Sequence, residues 1–309
     1  MAKFAPLHKG HEFLLRRALE ECDELFAISY SKPELEGCPA LKREGWMSGL
    51  FPTVHHLALT DARLRELAKP GEVPLELPHN DGEVTAHRRF CGLVCLRTFG
   101  VTVDAVFTSE DYGDGFAEEL SRCFREHHAS CPNVVHVCVD RERRSVPISA
   151  SRIRQDVHAH RDWLSPEVYG SFVKRVCLLG GESTGKSTLA ESLAKEFGTA
   201  HVAEYGREIW DAKAGTLAFE DMRHIAGEQI RREESALMQS NRWLFCDTSP
   251  LTTLFYSHHM FGKADPELGR LAERRYDLTI LCMPDFPFVQ DGTRQPEGFR
   301  DLQHQWYLG

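Results

Sequence analysis

The chain has 309 residues and a formal net charge of −9. With 42% apolar and 27% charged residues it matches folded globular proteins, which excludes disordered and fibrous chains, and its length predicts two domains. No apolar run is long enough to span a membrane and no signal peptide opens the chain. The mild negative charge argues against general nucleic-acid binding, so a cytoplasmic protein with neither membrane nor nucleic-acid partners is expected.

Apolar runs alternate with amphipathic stretches, the pattern of an α/β protein with parallel sheets. In the first half the pattern predicts a helix over 9–22, a strand over 24–30, a helix over 39–51 and a strand over 54–59. After a Pro- and Gly-rich loop around 70–82 it predicts a helix over 84–99, a strand over 103–108, a helix over 116–127 and a strand over 134–139. A short helix starts near Ser149. The second half restarts the alternation with strands over 176–179, 201–205, 243–247 and 278–283. Helices over 187–197 and 217–239 stand between them. The mixed-polarity stretch 162–174, with Pro166 and Gly170, sets the division into domains 1–168 and 169–309.

Ten cysteines in a chain this long do not make a disulfide scaffold. Cys138, Cys177, Cys246 and Cys282 fall in predicted strands, where a thiol acts as a small core hydrophobe. Cys123, His127, His128 and Cys131 are ligand-type residues close together. Their spacing matches no zinc-site pattern, and a buried thiol beside surface histidines is the simpler expectation.

Two phosphate-binding loops carry the chemistry. Gly180-Gly181-Glu182-Ser183-Thr184-Gly185-Lys186-Ser187-Thr188 has the G-x-x-x-x-G-K-[ST] form, between a predicted strand and a predicted helix. Glycines let backbone N–H groups turn around phosphate oxygens, Lys186 would reach the β- and γ-phosphates, and the Ser187 hydroxyl would ligate Mg²⁺. Asp247 closes an apolar strand, where a carboxylate would meet the metal, and Glu204 ends the preceding strand. Either could be the base toward an acceptor hydroxyl. Arg207 lies one turn beyond Glu204, and Arg294 stands in Asp291-Gly292-Thr293-Arg294, at the position of a kinase lid. In the first half, His8-Lys9-Gly10-His11 opens a helix, and Ser149, Ser151 and Arg154 open another. Together they offer donors to both sides of a triphosphate.

Phe4-Ala5-Pro6-Leu7-His8-Lys9-Gly10-His11 and the segment from Ile148 to Arg154 resemble the paired signatures of the nucleotidylyltransferase superfamily. A Rossmann-like domain of this kind followed by a P-loop nucleoside-kinase-like domain is similar to the bifunctional nicotinamide-nucleotide adenylyltransferase/ribosylnicotinamide kinases of bacterial NAD synthesis. Thr108-Ser109-Glu110, Glu204-Tyr205-Gly206-Arg207 and Asp247-Thr248 add to the match. The resemblance implies phosphorylation of ribosylnicotinamide by ATP, then adenylyl transfer from ATP to nicotinamide mononucleotide, with Mg²⁺ as cofactor. It places His8 and His11 at the α-phosphate and Ser149, Ser151 and Arg154 on the β/γ side. Arg43, Ser109, Glu110 and Arg207 are expected at the acceptor substrates.

The family runs a further strand before Lys3, and kinase cores of this type continue past the lid with a fifth strand and a final helix. The chain is therefore expected to be truncated at both ends. No helix-turn-helix is expected, and oligomeric state is left open. The alternatives are a kinase with a degenerate first domain and a nucleotide-sensing regulator without catalysis. The presence of His8, His11, Lys186 and Asp247 together favours chemistry.

Overall fold

Parallel pairing organises both halves of the chain in the computed structural model, which describes residues 1–109, 112–141, 144–285, 287–288 and 297–309. Contacts gather the chain into two units, Met1–Val168 and Tyr169–Gly309. The first unit runs α1 (Lys9–Glu21), β1 (Phe26–Tyr30), α2 (Ala40–Leu50), β2 (His55–Leu59) and α3 (Asp61–Leu67). It continues with α4 (Val84–Val94), β3 (Ala105–Thr108), α5 (Gly113–His127), β4 (Val135–Cys138) and α6 (Ala150–Gln155). A short helix, α7 (Pro166–Gly170), carries the chain onward.

β1 pairs with β2 and β3 with β4, both in parallel, with Ile28 opposite Leu57 and Phe107 opposite Val137. The two ladders are separate sheets. A slot of about 530 Å³ lies between them, with β1 and β3 as walls and Leu14, Leu15, Ala18 and Leu120 lining it. On α5, Phe116, Leu120 and Phe124 recur at helical spacing and join Phe90, Val94, Ile28 and Leu59 in the core. The single helix expected over 84–99 is two pieces, because one π-turn at Cys95–Phe99 follows α4 and ends at Gly100.

The second unit holds β5 (Lys174–Gly180), α8 (Lys186–Phe197), β6 (His201–Val202), α9 (Tyr205–Ala212), α10 (Phe219–Leu237) and β7 (Trp243–Asp247). α11 (Pro250–Phe261), α12 (Pro266–Ala272), β8 (Leu278–Cys282) and α13 (Glu297–Leu308) complete it. The sheet is parallel in the order β6-β7-β5-β8. β5 is inside it and buried along its second half, which explains its unbroken apolar run.

Two expectations need correction. The strand over 201–205 stops at Val202, because Tyr205 already opens α9 and its N–H is taken by Gln229 Oε1 at 2.9 Å. Cys138 is exposed at the end of β4 and is no core hydrophobe, whereas Cys177 and Cys246 are buried in β5 and β7. α13 lies beyond Arg294 in the chain. Cys123 is buried, and His127 Nδ1 sits 3.0 Å from its carbonyl oxygen. Among the described residues no group of three or more His, Cys, Asp or Glu side chains is arranged to hold a metal, and no helix is long and apolar enough to cross a membrane.

Candidate functional site

In the second unit, β5 ends at Gly180 with φ +146°, and a Cβ there would lie 2.6 Å from the Cys282 carbonyl oxygen. Only glycine fits that position. Ser183 and Gly185 also take positive φ, which turns the loop back on itself before α8 begins at Lys186. Lys186 Nζ and Thr184 Oγ1 both donate to the Gly181 carbonyl, at 2.9 and 2.8 Å. Ser187 and Thr188 are exposed on the first turn of α8.

Lys186 lines a pocket of about 100 Å³ with Glu182, Glu204, Arg207, Trp210, Tyr256 and Phe299. Tyr256 donates to Glu182 Oε1 at 2.8 Å. The Glu182 N–H donates to Gln303 Oε1 of α13 at 3.1 Å. Glu204 is pushed above the usual carboxylate range mainly by burial, with Asp247 and Glu182 adding to this and Lys186 and Arg207 opposing it. Asp247, the last residue of β7, is buried, and its Oδ1 has no partner among the described residues. An orphaned buried carboxylate oxygen fits a hard divalent cation, and Asp247 with the Ser187 hydroxyl could hold Mg²⁺.

In the first unit, His8 caps α1. Its Nδ1 accepts from the Gly10 N–H at 3.1 Å, so the ring proton sits on Nε2. The His8 and His11 rings stack with centroids 3.8 Å apart. Both line a cavity of about 380 Å³ with Ser149, Ser151, Ser109 and Thr108. Strand ends and helix starts from distant sequence thus meet in one place, as parallel α/β folds arrange it. Ser149 caps α6 through the Arg152 N–H. Arg154 donates to the Ala5 carbonyl and, at 3.2 Å, to Ser151 Oγ, tying α6 to the loop before His8.

Arg43 does not line this cavity. It is fully buried on α2, and its Nη2 lies 2.6 Å from Glu34 Oε1. Its Nε and Nη1 are buried with no partner among the described residues. Burial, with Arg43 adding, lowers the nearby His56 to about 4. Glu110 and Arg294 lie outside the described residues.

The sequence reading gave no role to several lining residues. Lys3 stands in the first cavity, its pKa lowered by burial and by Arg154. Trp210, Tyr256, Phe299 and Gln303 line the second. Lys3 immediately precedes the Phe4–His11 motif that flagged His8. The others carry no local signature.

Residues 175–306 match the family model described as AAA domain. The chain is 29% identical to the "Trifunctional NAD biosynthesis/regulator protein NadR" of Escherichia coli (strain K12), across 94% of this chain and 70% of the relative. Identity and coverage are the same for the protein of that name from Salmonella typhimurium (strain LT2). Two solved structures share the fold at 20% identity. One, of a NadR protein in complex with NR, has a TM-score of 0.66 and covers 100% of this chain and 84% of the other. The second, of a NadR protein in complex with NAD and AMP-PNP, has a TM-score of 0.61 and covers 91% and 79%. The chain is homologous to the Escherichia coli and Salmonella typhimurium NadR proteins, and its second unit is a P-loop domain.

Proposed function

Taking homology to the NadR proteins as the premise, we propose that this chain is a two-site enzyme of NAD biosynthesis. Its second unit phosphorylates ribosylnicotinamide with ATP, and its first transfers adenylate from ATP to the resulting mononucleotide. The observation that carries the reading is the pocket beside Lys186. Ribosylnicotinamide contains a pyridinium ring, which is both aromatic and cationic. The pocket offers Trp210, Tyr256 and Phe299 as aromatic walls and Glu182 and Glu204 as negative charge.

In the second unit Glu204 is the base. It faces the acceptor pocket, and its raised proton affinity suits it to take the 5′-hydroxyl proton as that oxygen attacks the γ-phosphorus. The bond from the γ-phosphorus to the β,γ-bridging oxygen breaks, and ADP leaves. Lys186 stabilises charge on the transferring group, and Arg207 lies on the acceptor side. Mg²⁺, held by Asp247 and Ser187, supplies charge neutralisation on the phosphates when bound.

In the first unit the mononucleotide phosphate attacks the α-phosphorus of ATP and pyrophosphate leaves. His8 presents its Nε2–H as a fixed donor to the α-phosphate, with His11 stacked beside it. Ser149, Ser151 and Arg154 take the β- and γ-phosphates. For Arg43 to receive the mononucleotide phosphate on its two unmatched N–H groups, the packing over this fully buried side chain must open on binding.

The test is direct. With ribosylnicotinamide, ATP and Mg²⁺ the protein should form nicotinamide mononucleotide, and with the mononucleotide and ATP it should form NAD and pyrophosphate. Saturable nucleotide binding without either product would reject the enzyme reading.

A further inference from the structure

Thr248, the residue after Asp247, has φ +74°, a left-handed backbone that a β-branched residue rarely adopts. Such a conformation persists only where the surroundings over-determine it, and it clusters at functional sites. Two bonds hold Thr248. Its N–H donates to the Leu178 carbonyl of β5 at 3.0 Å, and its hydroxyl donates to the Thr252 hydroxyl on the first turn of α11. Thr252 Oγ1 in turn shares a hydrogen bond with the Tyr307 hydroxyl of α13, 2.6 Å away. Gln303, one turn earlier on α13, donates from Nε2 to the same phenol at 3.4 Å. Its Oε1 accepts from the Glu182 N–H of the phosphate loop at 3.1 Å.

The series of bonds thus starts beside Asp247 and ends in the phosphate loop. Thr248, Thr252 and Gln303 are buried, and Thr252 and Gln303 line the acceptor pocket beside Lys186. Buried hydroxyls and amides add little net stability even when paired, so an apolar contact would close this corner of the fold as well. What they add is precision. Apolar contacts can slide, whereas each hydrogen bond fixes a distance and an angle. Tyr307 is the junction, because its hydroxyl meets both Thr252 and Gln303.

We propose that Tyr307 is a positioning residue for phosphoryl transfer. Through Thr252 and Thr248 it fixes the strand end that carries Asp247, and through Gln303 it fixes the phosphate loop at Glu182. It stands outside the lining of the acceptor pocket and acts through these residues. This deepens the phosphoryl-transfer reading and rests on it.

The experiment compares Tyr307→Phe with Tyr276→Phe, which removes a phenol hydrogen bond elsewhere in the second unit, to Glu233 at 3.0 Å. Both variants should melt a few degrees below the wild type. In Tyr307→Phe, kcat for ribosylnicotinamide phosphorylation should fall roughly ten-fold or more, because rate drops steeply when reacting groups are misplaced. KM for ribosylnicotinamide should move by less than about three-fold. Tyr276→Phe should keep both constants. Thr252→Val should reproduce the loss, and Thr252→Ser, which keeps the hydroxyl, should restore most of the rate. A second readout needs no turnover. Mn²⁺ affinity in the presence of AMP-PNP, followed by electron paramagnetic resonance, should weaken several-fold in Tyr307→Phe and hold in Tyr276→Phe. Wild-type kcat in Tyr307→Phe, equal losses of kcat in the two variants, or an unchanged Mn²⁺ affinity would each reduce the series of bonds to a brace and overturn the inference. If Tyr307→Phe does not fold, the Thr252→Val and Thr252→Ser pair is read by the same criteria. If the wild type does not phosphorylate ribosylnicotinamide, the kinase reading fails by that observation, and the Mn²⁺ affinities alone decide the inference.

Discussion

Replacing Arg43 by methionine should separate stability from function in opposite directions. Its guanidinium is fully buried, and two of its N–H groups have no partner among the described residues. Each unmatched buried donor costs about 1–3 kcal/mol, so together they oppose folding by roughly 2–6 kcal/mol. The compensating bond goes to Glu34, whose side chain is 40% exposed. Solvent screening holds that bond near the bottom of the ~1.5–3 kcal/mol range of charged hydrogen bonds. Methionine keeps most of the aliphatic volume and leaves Glu34 able to reach water. Arg43→Met should therefore melt at the same temperature as the wild type or a few degrees higher.

The functional effect has the other sign. Two charge-assisted bonds to a phosphate are worth about 3 kcal/mol or more, so KM for nicotinamide mononucleotide should rise ~10²-fold. KM for ATP and the phosphorylation of ribosylnicotinamide should barely move. His56, lowered to about 4 by burial and by Arg43, should titrate higher in the variant because one of its two causes is gone. Calorimetry, NAD-formation kinetics and imidazole NMR read the three effects. A melting temperature lowered by more than about 5 °C, with KM for the mononucleotide unchanged, would show that Arg43 is a core cation serving Glu34 alone.

Lys186→Ala should cut ribosylnicotinamide phosphorylation by ~10²–10³ while sparing NAD formation from supplied mononucleotide, and parallel assays of the two reactions check this. Phosphorylation should fall as pH drops through the raised range of Glu204, because the base must be ionised. Glu204→Gln should be slow and lack that acidic limb, and an unchanged limb in the pH–rate profile would move the base elsewhere. Arg274→Leu removes the guanidinium 2.9 Å from the fully buried Glu233, at a cost of about 3–5 kcal/mol in urea unfolding of the second unit. Burial raises Glu233 despite Arg274, so its ionised form is the disfavoured one in the fold. The deficit of the variant should therefore grow as pH rises above the ordinary carboxylate range and shrink below it. His11→Ala should lower NAD formation by ~10²-fold without touching the kinase reaction, measured as pyrophosphate release.

The P-loop was legible because its geometry is local. Two glycines and a lysine at fixed spacing dictate a strand–loop–helix turn whatever surrounds it, and Gly180 takes the positive φ that the spacing implies. α11 and α12 were equally local, each with a capping Ser249 or Asp265 and a proline at its first turn, and the sequence reading passed over them. Strand 201–205 failed for a non-local reason. Tyr205 has strand propensity, but Gln229 of α10 takes its N–H and Glu204 stands immediately before the helix.

Composition and periodicity by themselves determined that the chain is α/β with parallel sheets, and motif spacing marked two loops as candidate phosphate sites. Each of these depends on residues within about one turn or one strand of one another. Only the tertiary structure decided what surrounds the loops. It gave the pocket beside Lys186 walls from α9, α11 and α13, and left Asp247 buried with an unmatched oxygen. It also joined Tyr307 of α13 to Thr252 of α11, and sealed Arg43 in the interior against a half-exposed glutamate. Those juxtapositions join positions from nine to more than a hundred residues apart. A side chain's charge partner, depth and hydrogen-bond direction are set by neighbours that chain folding brings in, and no local pattern of residues encodes them.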